Sequence, residues 1–175
     1  MTDSKTQAGI GPVVSAAHLA RSSLPALSEV EFALTMANHA FHRWIVRGMA
    51  AAGAPGLSPL EVLIVHLVNH RDRAKSLADL CLMLNVEDTH LVTYAVKKLE
   101  GQGLVRAGRE GKEKTVSITD EGAALCAGYG EIREALVVRT AGQIGQDPAE
   151  LSRLAALMRA LSGAYDQAAR AAAAM

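Results

Sequence analysis

Aromatic side chains are scarce in this chain of 175 residues: two Phe, one Trp and three Tyr. Any core must therefore be built from Leu, Val, Ala and Met. Cysteine is nearly absent. Cys81 and Cys126 cannot form a disulfide framework, and Cys81, inside an apolar helical pattern, reads as a buried, inert thiol. No apolar run reaches the roughly 18 residues of a membrane span. The stretch 8–20 lacks the leucine-rich centre of a secretory signal and follows Asp3, so a cytoplasmic location and no membrane partner are expected. Excess charge of either sign is missing too, with 18 basic and 18 acidic residues. A general polyanion binder is thereby disfavoured, and charge placement must carry any argument about partners. There is no phosphate-cradling glycine loop, no nucleophile elbow and no paired catalytic carboxylates with a supporting motif. An enzyme is not expected, and neither is a cofactor.

Half of the residues are hydrophobic, enough for a real core, and Ala/Leu richness favours a mainly helical protein. Helix starts are marked by capping. Ser28-Glu29-Val30-Glu31 and Ser58-Pro59-Leu60-Glu61 have the spacing of capping boxes, the second with Pro at N1 where no amide is needed. Ser76-Leu77-Ala78-Asp79 and Asp147-Pro148-Ala149-Glu150 are further starts. The pattern predicts helices over 28–52, 58–69, 76–84, 88–102, 119–143 and 148–172, following an arm over 1–27 with a partly helical stretch near 13–22. Gly101 and Gly103 stop the fourth helix. Residues 104–107 and 115–119 are strand candidates on either side of a polar loop, 108–114.

Residues 76–122 thus read as short helix, turn, second helix and basic hairpin, the order of a winged helix-turn-helix, which presents one helix to a DNA major groove. In the helix at 88–102, Leu91, Val92, Ala95, Val96 and Leu99 form a predicted core stripe. His90, Thr93, Tyr94 and Lys97 fall on the other side, with donors, acceptors and a cation suited to base edges. Backbone phosphates are assigned to Arg73, Lys75 and Ser76 at the start of the helix before it. Thr89, Lys98 and the hairpin residues Arg109, Lys112 and Lys114 join that set. From Arg71 to Lys114 nine basic residues face seven acidic ones, so position matters more than the total.

Leu77-Ala78-Asp79-Leu80, the run from Thr93 to Glu100, Gly103-Leu104-Val105 and Val116-Ser117-Ile118-Thr119-Asp120-Glu121-Gly122 together resemble a MarR-family transcriptional regulator. The similarity extends over about residues 28–170. Two places depart from the family pattern: Glu110-Gly111-Lys112 stands where the family's wing usually carries an Asp-Arg-Arg-like run, and Tyr94 where it often has Arg. The resemblance implies a mainly α fold with a small β-hairpin wing, flanked by N- and C-terminal dimerisation helices. It divides the chain into an arm (1–27), a dimerisation and pocket helix (28–57), a winged helix-turn-helix (58–122) and C-terminal dimerisation helices (123–175). It implies a homodimer on an inverted repeat of double-stranded DNA, modulated by a small-molecule effector held near His39, His42, Trp44 and His66.

The residues independently favour association, because Leu151, Leu154, Leu157, Met158, Leu161 and Tyr165 recur at helical spacing. A two-fold interface would set two reading helices roughly 34 Å apart. Two alternatives stand beside this reading. The pairs His39/His42 and His66/His70 have helical spacings that suit zinc, which would make a metal-sensing regulator. The zero net charge suits a winged-helix module that contacts protein and no DNA.

Overall fold

The computed structural model describes residues 11–143 and 147–175. The chain divides into two compact units, one ending at Tyr129 and the other beginning at Gly130.

The first unit opens with helix α1 (Pro25–Ala51), followed by α2 (Pro59–Asn69), strand β1 (Lys75–Ser76), α3 (Leu77–Leu84), α4 (Thr89–Gly101), strands β2 (Val105–Glu110) and β3 (Glu113–Ile118), and the greater part of α5 (Asp120–Arg133). α1 starts at Pro25, ahead of the Ser28 expected from capping. Ser28 is instead a buried residue within the helix whose hydroxyl donates to the Leu19 carbonyl at 2.9 Å, and Glu29 accepts from the Val13 amide at 2.8 Å. Proline at N1 decided the start, since its ring presets φ and needs no amide partner. The Ser58 box forms as predicted, and the helix start at Ser76 is a full box as well. Ser58 and Glu61 exchange side-chain-to-amide bonds, and so do Ser76 and Asp79.

The core is aliphatic. Ile45 and Met49 of α1 meet Val62, Ile64, Val65 and Val68 of α2, Leu80 of α3, Val92 and Leu99 of α4, and Val105 and Val116 of the sheet, all essentially inaccessible to water. Each such side chain contributes about 1.5–3 kcal/mol on burial. Cys126 lies in this core, and burial pushes its thiol up to about 11, which keeps it protonated and unreactive. Cys81 is only half-buried, because α3 packs one narrow face and leaves Leu82 and Met83 outside.

The sheet has three strands in the order β1-β3-β2, all antiparallel. β1 was not legible as a strand, being two residues paired with Val116 and Thr115. The hairpin is longer than expected: its strands run to Glu110 and Glu113, leaving Gly111 and Lys112 as a two-residue turn. Gly111 has φ +59 and Lys112 no positive φ, the sign pattern of a type II′ turn. The glycine at this place in the wing supplies backbone geometry in place of a cation.

The connector before β1 is strained. His70 (φ −72, ψ 123) and Arg71 (φ 64, ψ 21) have the dihedrals of a type II turn, whose second position favours glycine. The ammonium of Lys75 holds it, donating to the carbonyls of His70 at 2.9 Å and Arg73 at 2.7 Å. A left-handed arginine costs about 1–2 kcal/mol, and a glycine gives back about 0.5–1 through unfolded-chain entropy. Arg71→Gly is therefore expected to stabilise the protein by about 0.5–1 kcal/mol, read as a rise in the urea midpoint at constant m. A fall would show that the arginine side chain makes a contact worth more than its strain.

In the second unit α5 passes through a π-helical turn, Glu134–Val138, into α6 (Arg139–Gln143), where one unbroken α-helix was expected. Helix α7 (Pro148–Ala172) is capped by Asp147, which accepts from the Ala149 amide at 3.1 Å. α7 has no buried residue, and Leu151, Leu154, Leu157 and Met158 are exposed along it. Among the described residues no helix is long and apolar enough to cross a membrane.

Candidate nucleic-acid interface

Helix α4 is positioned by its ends and its inner face. Asp88 caps it by accepting from the His90 amide at 2.8 Å. Val92, Ala95, Val96 and Leu99 lock the inner face into the core. Successive residues are about 100° apart around a helix, so the opposite arc carries His90, Tyr94 and Lys97. All three are exposed, Tyr94 at 73%, as is Thr89 at the first position. Thr93 is half-buried on the flank, and its hydroxyl donates back to the Thr89 carbonyl at 2.9 Å. Leu91 departs from expectation. It is 55% exposed, because the four inner residues already fill the core arc and Leu91 lies about a quarter-turn from its centre.

Between α4 and the hairpin runs a cleft of about 490 Å³. Leu77, Val96 and Val116 form part of its lining, and Lys97, Arg109 and Lys114 bring three cations to it. Glu100 also lines it and is held in place by accepting from the Ala107 amide at 3.2 Å, a role its sequence position did not signal. In the hairpin, Arg109 is directly opposite Lys114, and Glu110 directly opposite Glu113. Like charges in direct cross-strand register are destabilising. Neighbours along a strand point to opposite sides, so the two pairs give the wing one basic and one acidic face. The basic pair lines the cleft. Lys112 is exposed in the turn, and Arg73 is exposed beside β1.

Three of the residues assigned to phosphates are committed elsewhere. Lys75 is only 3% exposed, and its ammonium is spent on the two carbonyls of the connector. Burial lowers its pKa, the neighbouring Arg73 and Arg71 lower it further, and Asp79 opposes them. Ser76 is occupied by its capping box. Its hydroxyl oxygen accepts from the Asp79 amide and its own amide donates to the Asp79 carboxylate, both at 3.0 Å. The α3 terminus thus already holds an anion, kept ionised chiefly by the backbone bond from Ser76. Lys98 donates to Glu61 at 2.8 Å and to the Gly56 carbonyl at 3.0 Å. Glu61 is 4% exposed and also accepts from the Ser58 amide at 2.7 Å. A buried carboxylate needs this partner, so Lys98 ties α4 to the start of α2.

Of the four residues assigned to an effector pocket, the structure brings two to one aromatic ring. Trp44 and His66 meet around Tyr129, with ring centroids 5.8 and 4.5 Å from it. This is packing: a Cβ on Gly48 would come within 2.8 Å of the Tyr129 ring. His66 Nε2 is buried with no hydrogen-bond partner among the described residues, and burial lowers the imidazole pKa. His39 is exposed, and His42 lies beside Phe41 at a centroid distance of 6.3 Å. A second cleft of the first unit, about 480 Å³, is lined instead by residues including Ala52, Pro55, Gln102, Leu104, Glu121 and Leu125. Among the described residues no three His, Cys, Asp or Glu side chains converge as a metal site, so the pairs His39/His42 and His66/His70 lack further ligands.

An exposed helix beside a cation-lined cleft, closed by a two-stranded wing, defines a winged helix-turn-helix. Residues 57–122 match the family model described as a winged helix DNA-binding domain. Among solved structures, a MarR family regulator from Neisseria meningitidis is similar at 16% identity and a TM-score of 0.64, covering 81% of this chain and 94% of that one. The transcriptional regulator BldR from Sulfolobus solfataricus is similar at 21% identity and a TM-score of 0.60, covering 81% and 98%. CouR from Rhodococcus jostii RHA1, solved bound to p-coumaroyl-CoA, is similar at 13% identity and a TM-score of 0.60, covering 75% and 90%. No curated protein matches the chain. The fold is that of the MarR-family regulators.

Proposed function

We propose that this chain is a MarR-type transcriptional regulator that binds double-stranded DNA as a two-fold dimer, without enzymatic activity of its own. The observation that carries the proposal is the pairing of an exposed, polar α4 face with a cleft holding Lys97, Arg109 and Lys114. α4 enters the major groove, where His90, Thr93, Tyr94 and Lys97 reach base edges. Arg73, Thr89, Arg109, Lys112 and Lys114 meet the backbone. Dimerisation is supported in each unit separately by uncovered apolar side chains: Val30, Met36 and Phe41 on α1, and Leu151, Leu154 and Leu157 on α7. Regulation by a small molecule is supported by the cleft near Pro55 and Glu121, which is of ligand size.

Selection of genomic fragments by the purified chain tests this reading. The expected yield is fragments sharing an inverted repeat with half-sites about one helical turn apart, bound with an affinity that falls steeply and log-linearly with salt. Failure to retain any duplex at low salt would overturn it and favour a protein-contact module.

A further inference from the structure

The reading face is short of charge and rich in exposed carbon. Leu91 and Tyr94 are three apart on α4 and therefore adjacent on its surface, at 55% and 73% exposure. Neither Thr89, His90 nor Leu91 in the first turn is a permanent cation, and Lys97 is the one Lys or Arg on the outer arc. A single exposed leucine is ordinary on a protein surface. Leu91 differs by its place: it stands in the first turn of the helix that the winged fold presents, and N-terminal residues of such a helix contact base edges. In a major groove the one apolar group offered by the natural bases is the C5-methyl of thymine.

We propose that Leu91, with Tyr94, selects thymine in each half-site through contact with its C5-methyl group, making Leu91 a specificity-determining residue. The proposal rests on the reading of α4 as the helix in the groove. It gives an apolar side chain in the reading head a partner of matching chemistry. It also assigns the discrimination of thymine to methyl burial, with the wing cations supplying attraction to the backbone.

The test replaces each thymine of the duplex recovered by selection, one at a time, with deoxyuridine, which keeps the pairing and the O4 acceptor and loses only the methyl. For the full chain, one or two positions per half-site should lose about fourfold in affinity, the worth of one buried methyl. Leu91→Ala, at an exposed position, should fold normally and bind the thymine and uracil duplexes equally at that position. Equal wild-type affinity for thymine and uracil at every position, with steep salt dependence intact, would overturn the methyl assignment and leave DNA binding standing. Loss of all duplex binding at low salt would remove the underlying reading instead.

Discussion

Gly122→Ala is expected to cost about 3 kcal/mol or more, because an added Cβ has no direction in which to give way. Gly122 is buried in the first turn of α5. Its Cβ would overlap the Leu104 carbonyl oxygen and come within 2.7 Å of Ile118 Cδ1 and 3.1 Å of the Leu104 carbonyl carbon. The nearest obstacle is backbone, which cannot rotate aside. Thr119 fixes the approach from both directions. Its hydroxyl shares its proton between the carbonyls of Gly103 at 2.7 Å and Leu104 at 3.0 Å, and its oxygen accepts from the Gly122 amide at 3.0 Å. Overpacking usually costs about 1–3 kcal/mol, and more where the neighbour is rigid. Gly128→Ala is the matched control in the same helix, since its Cβ would find only Ala52 Cβ at 3.9 Å. That change should be neutral or stabilise by up to about 1 kcal/mol through helix propensity. Urea unfolding of both variants decides the matter. Equal midpoints would show that α5 can slide on the Leu104 backbone.

Removing both wing cations should separate stability from binding. In Arg109→Ala/Lys114→Ala a like-charged cross-strand pair disappears, so the free protein should be no less stable than the wild type. If each side chain meets one phosphate, worth about 1 kcal/mol, duplex affinity should fall about thirtyfold. The slope of log K against log salt should become shallower by about 2, at close to one unit per phosphate. The loss should be the same for the selected duplex and for unrelated sequence, because phosphate contacts carry no base information. Glu110→Gln/Glu113→Gln, on the other face of the same hairpin, should leave binding unchanged or improve it. An unchanged slope in the cation variant would place the wing away from the duplex.

Much of this architecture was legible without coordinates because its signals are local. Ser58 with Glu61 and Ser76 with Asp79 each close a box within four residues, and both boxes form. The inner stripe of α4, from Val92 to Leu99, follows from a helical period that any 13-residue segment must obey. The order helix, helix, hairpin and the stops at Gly101 and Gly103 needed no long-range information either.

What the chain alone determined, then, is the order of the longer helices and the hairpin and which of their faces are aliphatic, because hydrogen bonds between near neighbours and a fixed angular step decide those matters. β1, which exists only through its pairing with β3, and the π-helical turn after α5 were not among them. What only tertiary structure decided is the employment of individual side chains. Lys75 and Lys98 look like their neighbours in sequence, yet one is buried on two carbonyls and the other is claimed by a carboxylate 37 residues away. Leu91 was left outside by a core that four other residues had filled. Trp44 and His66 meet only because Tyr129 is delivered between them by a later helix. The physical reason is the same in each case: a charge or an apolar surface is satisfied by whatever the fold brings within a few ångströms, and that neighbour is set by packing across the whole unit.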